Sequence, residues 1–218
     1  MKKRIFIIRT TPYDYLIPGM NLYQSFNAVA KRKVEISVKP EAKEYFRKNL
    51  PIEILNTNSV YCSPRKRSIQ TANFILSDPR VLEELIEVKF EMEDFITEKG
   101  FYDKQGNANV QKARKAFVKA LVNNKLGESY KEVIQRIESL LKMISQDRSN
   151  KILVFSHGFF MKIIEAYVKD SSVKNRSKNL LKYFDGSSET FKFCGGFILE
   201  FENGEFEFNS YIKNIGDK

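Results

Sequence analysis

Apolar residues follow two alternating patterns along this 218-residue chain. Short continuous runs of branched and aromatic residues at 5–8, 60–62 and 152–155 are typical of strands that are buried on both faces. Between the runs, apolar residues recur every three or four positions, as on one face of a helix, most regularly at 133–144 and 159–168. This alternation predicts a layered α/β domain.

Turn and capping residues predict where several elements begin. Ser129 and Glu132 have the spacing of a capping box ahead of the helical pattern at 133–144. Ser63 precedes Pro64, and this pair predicts a helix start with Ser63 as the N-cap. An Asn-Gly pair at 203–204 predicts a tight hairpin turn. The other predicted elements are helices at 20–30, 40–49 and 107–124, strands at 189–193, 197–202 and 205–211, and a loop-rich stretch at 170–188.

Composition indicates a globular chain, because hydrophobic residues make up 42% of it. The apolar runs are too short to span a bilayer, and Arg9 interrupts the first of them, so the sequence predicts neither a membrane span nor a signal peptide. Cys62 and Cys194 are the only cysteines, which does not suggest a disulfide scaffold. We therefore expect one domain over residues 1–218, located in the cytoplasm.

The net charge of +10 favours anionic partners, such as phosphorylated small molecules, nucleic acid or acidic surfaces. A surface of solvated lysines explains the same charge equally well. The tight basic triplets at 31–33 and 65–67 are not interleaved with aromatic residues in the way that a nucleic-acid platform requires. The sequence therefore argues against nucleic acid as the partner.

The chain contains one histidine, His157, which follows the apolar run at 152–155 and precedes Gly158. It is therefore expected at the carboxyl end of a buried parallel strand, where open α/β sheets bind their ligands. A histidine packed in a loop and held by hydrogen bonds is the plainer alternative. The rest of the sequence has to decide between the two.

Three segments of the sequence favour a ligand-binding role for His157 over a packed loop histidine. They are Arg-Thr-Thr at 9–11, Ser-Pro-Arg-Lys-Arg-Ser-Ile-Gln-Thr-Ala at 63–72, and Leu-Val-Phe-Ser-His-Gly at 153–158. In order and context they resemble the histidine phosphatase superfamily, which includes phosphoglycerate mutases and acid phosphatases. Segment 85–90 stands where that family often carries an acid residue, here Glu87, and Gly-Glu-Ser at 127–129 also matches. The resemblance implies a three-layer α/β/α sandwich with one mostly parallel sheet and helices on both faces.

The resemblance also assigns roles to the residues of these segments. Arg9 and Arg67 are implied to bind phosphate, since each guanidinium offers paired N–H donors. His157 would add positive charge, with its pKa raised by a bound phosphate and a nearby carboxylate. Glu87 would be the general acid that protonates the leaving oxygen. The family's motifs imply neither a metal nor another cofactor.

The largest departure from the family lies at Thr10. The family opens with Arg-His-Gly, whose histidine is the nucleophile, whereas this chain has Arg-Thr-Thr at 9–11. A threonine hydroxyl is a poor nucleophile without a base to activate it, and a phosphothreonine is a stable ester. We therefore predict binding of phosphate or a phosphorylated ligand, with phosphatase activity weak or absent, and Thr10 bonding either the loop or the anion.

Two other functions stay open at this point. One is an active phosphomonoesterase that uses His157 as nucleophile or a water activated by Glu87. The other is a non-catalytic anion-binding or scaffold module. Loops at 13–39 and 101–124 are expected to set specificity, but the sequence does not place them over the pocket and does not reveal the substrate or the oligomeric state.

Plainer roles are predicted for four polar residues beside these motifs. Arg65 and Lys66 are expected on a solvated face. Ser63 is better explained as a helix cap than as a nucleophile. Ser156 is expected to form a hydrogen bond with the backbone.

Overall fold

A six-stranded mixed sheet forms the centre of the computed structural model, which describes residues 2–14, 16–89, 110–184 and 191–212. Its strands are β1 (Lys3–Arg9), β2 (Ser59–Cys62), β3 (Arg80–Val81), β4 (Lys151–Ser156), β5 (Gly196–Glu202) and β6 (Glu205–Ile212). The strand order is β3-β2-β4-β1-β5-β6. The first four strands run parallel, and β5 and β6 continue the sheet in antiparallel pairing.

Helices cover the sheet. They are α1 (Leu22–Ala30), α2 (Ala42–Asn49), α3 (Ile52–Leu55), α4 (Lys66–Ala72), α5 (Val110–Val122), α6 (Tyr130–Gln146), α7 (Gly158–Lys169) and α8 (Ser172–Asn175), with 3-10 segments at Glu83–Leu85 and Ser177–Phe184. Within the described ranges, no helix has both the length and the apolar character needed to cross a membrane.

Side chains of β1 alternate between two hydrophobic cores. Ile5 and Ile7 pack with the apolar residues of α6 and α7 on one face of the sheet. Phe6 and Ile8 pack with Phe46 of α2 on the other face. A strand that is buried on both faces needs apolar residues at every position, which is the reason for its continuous apolar run. The predicted α/β/α sandwich is confirmed.

The capping box and the Asn-Gly pair correctly predicted the start of α6 and the turn between β5 and β6. Ser129 Oγ accepts a hydrogen bond from the Glu132 amide at 3.2 Å, and Glu132 Oε2 accepts one from the Ser129 amide at 2.7 Å, which completes the capping box of α6. The hairpin turn between β5 and β6 places Asn203 at φ 55° and Gly204 at φ 91°. Both angles suit an Asn-Gly turn.

Three local predictions are wrong. Helix α4 begins at Lys66 with Arg65 at the N-cap position, so Ser63 does not cap it. Its hydroxyl instead lies 2.8 Å from His157 Nε2. The stretch predicted as loop-rich contains α8 and a 3-10 segment. Residues 191–193, the described part of a predicted strand, form no strand, because the chain turns at Cys194, where φ is 59°.

Asp147 anchors the end of the sheet opposite the carboxyl ends of the parallel strands. Its carboxylate accepts hydrogen bonds from Ser59 Oγ at 2.7 Å, Tyr61 OH at 2.6 Å and Arg80 NH1 at 3.0 Å. The buried Lys3 ammonium donates to the backbone carbonyl of Asp147. Burial alone would raise the pKa of this carboxyl, but the hydroxyl donors outweigh it and hold the pKa well below its usual range.

Replacing Asp147 by asparagine is expected to lower the free energy of unfolding by about 1–3 kcal/mol at pH 7. Because the pKa of Asp147 is lower in the folded state, its ionisation stabilises the fold above pH ~4, and this contribution declines as the pH falls below that. Urea unfolding of both proteins between pH 7 and pH 3 measures the effect, with exposed Asp78→Asn as control. If the difference in unfolding free energy between the wild type and Asp147→Asn does not become smaller below pH ~4, the stabilising role of the ionised Asp147 carboxylate is contradicted.

Candidate active site

The carboxyl ends of β1 and β4 form the centre of the site. The parallel register pairs Arg9 with Ser156, so the next residues of the two strands, Thr10 and His157, are neighbours. Both side chains are buried. Ser63, which follows β2 on the far side of β4, reaches the same histidine. The structure thus brings the three sequence segments together at one edge of the sheet.

Arg67 determines which nitrogen of His157 carries the proton. Its NH2 group lies 2.9 Å from Nδ1 of the histidine. Because a guanidinium can only donate, Nδ1 accepts this hydrogen bond, and we place the ring proton on Nε2. Nε2 in turn lies 2.8 Å from Ser63 Oγ and 3.6 Å from Glu87 Oε2. Both ring nitrogens therefore have protein partners.

The imidazole of His157 is neutral at physiological pH. Burial is the largest effect and lowers its pKa, the carboxylate of Glu87 raises it, and Arg67 and Arg65 lower it again, to about 3. The carboxylate that we expected near His157 is therefore present as Glu87, but it raises the pKa by less than burial and the arginines lower it. Among the protein's own groups, burial and the arginines outweigh the carboxylate of Glu87, and the rise in pKa that a bound phosphate would cause stays a prediction.

The Glu87 carboxylate lies between Arg65, Arg67 and His157. Its Oε1 accepts a hydrogen bond from Arg67 NH2 and lies 3.4 Å from Arg65 Nε. Burial raises the pKa of this carboxyl, but the electrostatic interactions with His157, which is protonated only at such low pH, and with Arg67 and Arg65 outweigh burial and lower the pKa to about 2. Glu87 is therefore ionised at neutral pH. A general acid needs a proton to give, and in this arrangement Glu87 holds none.

Side chains from three separate segments of the chain hold the backbone that carries Glu87. The carbonyls of residues 85, 86 and 87 accept hydrogen bonds from Ser156 Oγ, Arg136 NH1 and Arg32 NH2, in that order. Ser156 thus bonds a backbone carbonyl, as predicted. Arg136 is itself paired with Glu128, from the Gly-Glu-Ser motif, at 2.8 Å. The position of the Glu87 backbone is therefore set by tertiary contacts.

An aromatic pair orients the two predicted phosphate-binding arginines. The rings of Tyr13 and Phe193 meet edge to face, with their centroids 5.1 Å apart. The Arg9 guanidinium lies 4.3 Å from the centroid of Phe193, and that of Arg67 lies 5.1 Å from the centroid of Tyr13. Arg9 also donates to the Phe191 carbonyl at 2.7 Å. Stacking and hydrogen bonding together fix the guanidinium planes.

Arg65 belongs to the site, and the prediction of a solvated face is wrong for it. The residue is buried; its NH1 lies 2.6 Å from Glu35 Oε1, and its NH2 donates to the Val34 carbonyl at 3.0 Å. Lys66 is exposed, as predicted. Together with Tyr13, these contacts lay part of the 13–39 segment over the site. Residues 101–109 of the second predicted specificity loop fall outside the described residues.

Thr11 connects β1 to α4. Its amide and its hydroxyl both lie within hydrogen-bonding distance of Thr71 Oγ1, at 3.3 and 3.0 Å. Thr71 Oγ1 also donates to the Arg67 carbonyl at 2.8 Å. Thr11 therefore bonds the helix that carries Arg67.

A sequence model of the histidine phosphatase superfamily (branch 1) matches residues 41–193. This range includes Arg65, Arg67, Glu87 and His157, whereas β1 with Arg9 and Thr10 lies outside it. A comparison with curated proteins found no significant match.

Solved structures of phosphate-processing enzymes share the fold. Phosphoglycerate mutase from Bacillus anthracis str. Sterne is 16% identical, with a TM-score of 0.60, over 96% of this chain and 92% of that chain. A mycobacterial glucosyl-3-phosphoglycerate phosphatase is 14% identical, with a TM-score of 0.60, over 98% and 100% of the two chains. A phosphoserine phosphatase mutant from Entamoeba histolytica, in complex with phosphoserine, is 17% identical, with a TM-score of 0.53, over 96% of each chain. At these identities the similarity concerns the fold.

Proposed function

This chain belongs to the histidine phosphatase superfamily (branch 1), and from that membership we propose that it binds inorganic phosphate or a phosphorylated small molecule, with weak or absent phosphatase activity. The E. histolytica neighbour in complex with phosphoserine supports a small phosphorylated ligand. Arg9 at the carboxyl end of β1 and Arg67 in α4, beside His157, form the proposed binding site.

The state of His157 is the observation that carries the proposal. Its Nδ1 lone pair accepts from Arg67, and Nε2 carries the ring proton, so neither nitrogen has a lone pair free to attack phosphorus. The same protonated Nε2 cannot remove a proton from a threonine hydroxyl, so the neighbouring Thr10 has no base in this imidazole. Among the described residues, neither His157 nor Thr10 is therefore prepared to act as the nucleophile of covalent phosphoryl transfer.

Phosphate binding needs only positioned positive charge and hydrogen-bond donors. A phosphoryl group carries up to two negative charges, and its recognition depends mainly on geometry and charge stabilisation. Arg9 and Arg67 supply two guanidinium groups that aromatic rings already orient. Such groups bind phosphate oxygens in pairs. Thr10, in the proposed position of the family's nucleophile, would offer a hydroxyl to the same anion.

Hydrolysis by a water that Glu87 activates is the competing function. A carboxylate with a pKa of about 2 that is held by Arg67 is a weak general base, which argues against this route. Turnover of p-nitrophenyl phosphate by the wild type and by His157→Ala distinguishes the two functions. We expect little or no turnover in either protein, and turnover that His157→Ala abolishes would support an active phosphomonoesterase instead.

Arg67→Ala is expected to weaken phosphate binding by at least about tenfold, because a hydrogen bond to a charged group is worth about 1.5–3 kcal/mol. Isothermal titration with inorganic phosphate measures the change. Lys66→Ala, which alters an exposed neighbour in the same helix, is the matched control. Since Arg67 is buried and ion-paired, a second variant, Arg9→Gln, tests the pocket without breaking that pair. Absence of phosphate binding in the wild type, or unchanged binding in both variants, would refute the proposal.

A further inference from the structure

We propose that Arg65 is a positioning residue that links the segment at 31–38 to the candidate active site, because the segment holds its guanidinium and the guanidinium contacts the Glu87 carboxylate. The link is a property of the folded chain, whereas its part in anion binding rests on the proposed function. A displacement of the segment is therefore expected to alter the site.

The Arg65 guanidinium connects two parts of the chain that are distant in sequence. Its NH1 lies 2.6 Å from Glu35 Oε1, its NH2 donates to the Val34 carbonyl at 3.0 Å, and its Nε lies 3.4 Å from Glu87 Oε1. A guanidinium is planar and rigid, so its three nitrogens move together. A movement of Glu35 or Val34 therefore also moves the Nε edge relative to Glu87.

Burial makes the position of this guanidinium depend on its partners. The Arg65 side chain is 5% exposed, and a buried charge is costly when a partner leaves it. Of its two carboxylate partners, Glu35 belongs to the segment and is 46% exposed, whereas Glu87 belongs to the site. If Glu35 detaches, the guanidinium is expected to shift toward other partners or solvent, and its contact with Glu87 changes as a result.

The segment is attached to the domain mainly by polar contacts. None of its three apolar residues belongs to the two large cores that the described residues form, and Ile36 packs in a small separate cluster. Glu35 Oε2 accepts a hydrogen bond from the Lys66 amide at 3.0 Å, and the Val38 amide donates to Gln70 Oε1 at 3.0 Å. A segment held in this way can shift locally while the two cores stay folded.

Arg32 attaches the same segment to Glu87 a second time. Its NH2 group donates to the Glu87 carbonyl. The φ of Arg32 is 57°, in the left-handed region that is unfavourable for a residue with a side chain, and such a conformation persists where surrounding contacts hold it. The segment thus reaches Glu87 at the backbone through Arg32 and at the carboxylate through Arg65.

His157 is a direct reporter on the site side of the link. It is the only histidine of the chain, so the ring-nitrogen signals of histidine in an NMR spectrum belong to it alone. Its Nε2 lies 3.6 Å from Glu87 Oε2, so a displaced carboxylate changes these signals. Glu35→Gln perturbs Arg65 from the opposite side, through the segment.

Glu35→Gln is expected to shift the His157 ring signals when Arg65 is present and to leave them unchanged in an Arg65→Met background, because the link is then missing. Arg65→Met keeps the apolar stem and removes the guanidinium. Should Arg65→Met not fold, Arg65→Lys replaces it with the same expectation, since an ammonium lacks the fork that spans both carboxylates. Asp14→Asn is the matched control. It removes a carboxylate beside the segment, from an exposed pair with Lys39 at 2.9 Å, and is expected to leave the ring signals unchanged.

Amide hydrogen exchange measures the segment side of the link. The Val38 amide reports detachment of the segment, because its acceptor, the Gln70 side chain, belongs to α4. Arg65→Met is expected to accelerate Val38 exchange at least about tenfold, since it removes a buried connection. Asp14→Asn is expected to change the rate by less than about twofold, because it breaks only a surface ion pair.

Titration with inorganic phosphate relates the link to binding. Glu35→Gln removes a negative charge near the arginines, so a role of Glu35 as a charge alone would tighten phosphate binding. A positioning role predicts the opposite sign, because binding groups that are less well held bind more weakly. We expect the affinity of Glu35→Gln for phosphate to fall at least about threefold.

The possible results separate this inference from the proposed function. The link is overturned if Glu35→Gln leaves the His157 signals unchanged, if its shift persists in Arg65→Met, or if Arg65→Met leaves Val38 exchange unchanged. Phosphate binding by Glu35→Gln that is unchanged or tighter overturns the positioning role. If the wild type does not bind phosphate, the proposed function and the part of Arg65 in it fail, whereas a His157 shift that requires Arg65 still establishes the link.

Discussion

Replacing Thr10 by histidine and Thr11 by glycine is expected to raise phosphomonoesterase activity by a factor on the order of 100 or more, the minimum scale of effect that we expect from supplying a nucleophile. The new imidazole would lie beside His157, which Arg67 of α4 contacts, and directly after Arg9 of β1. Imidazole attacks phosphorus and then releases the phosphoryl group to water, which a threonine does not do. The glycine removes a side chain that packs against α4 and so makes room.

Hydrolysis of p-nitrophenyl phosphate by the double variant measures this gain. The matched control is Thr10→Ala with Thr11→Gly, which opens the same space without a nucleophile and is expected to stay at the wild-type rate. Because Glu87 is ionised, the double variant should cleave p-nitrophenyl phosphate much faster than an alkyl phosphate, whose leaving group needs a proton. A double variant that folds and binds phosphate but turns over neither ester would show that the site lacks more than its nucleophile.

Gly196→Ala is expected to lower the free energy of unfolding by about 3 kcal/mol or more, the upper range for overpacking. Gly196 begins β5 and pairs with Ile8 of β1. A Cβ atom at this position would lie 1.9 Å from the Ile7 carbonyl oxygen and 2.9 Å from the Ile8 Cα. Both are backbone atoms in the middle of the sheet, so relief requires β1 to move together with Arg9 and Thr10 at its end.

Urea unfolding of the wild type and of Gly196→Ala measures this loss. Gly158→Ala provides the contrast, because its Cβ would make an ordinary contact at 3.6 Å from Arg9 Cδ and the residue opens a helix that favours alanine. That variant is expected to change the unfolding free energy by less than about 1 kcal/mol. Equal unfolding midpoints for the two variants would contradict the close approach of β5 to β1.

Sequence pattern predicted the elements whose signal is local. β1, β2 and β4 are buried on both faces, and each of them appears as a continuous apolar run. β3 could not be predicted, because it comprises only two residues, both exposed, that pair with the end of β2. A strand of this kind forms because it pairs with β2, and its two residues are too few to show a hydrophobic periodicity.

The site was predictable at strand ends and unpredictable where distant segments meet. Arg9, Arg67 and His157 stand in short motifs, which the sequence displays directly. Arg65 lies beside Arg67 in the same motif, yet its burial depends on a loop around Glu35, and no local pattern reports that contact. The same reason applies to the aromatic rings that orient the arginines, because they come from opposite ends of the chain.

Protonation at the site was the hardest property to predict. A carboxylate near His157 was expected, and Glu87 lies there, but the sign of the pKa shift depends on a sum of opposing effects. Burial and the number of nearby arginines are properties of the folded chain. Only their geometry determines that the imidazole is neutral and the carboxylate charged.

The stacking of the arginines on Phe193 and Tyr13 bears on the entropy of ligand binding. An arginine side chain that moves freely carries about 2 kcal/mol of rotamer entropy, which a ligand must remove when it orders that side chain. Here the ring faces and the Phe191 carbonyl have already restricted Arg9 and Arg67 during folding. Tyr13 and Phe193 therefore reduce the side-chain entropy that Arg9 and Arg67 would still lose on binding an anion.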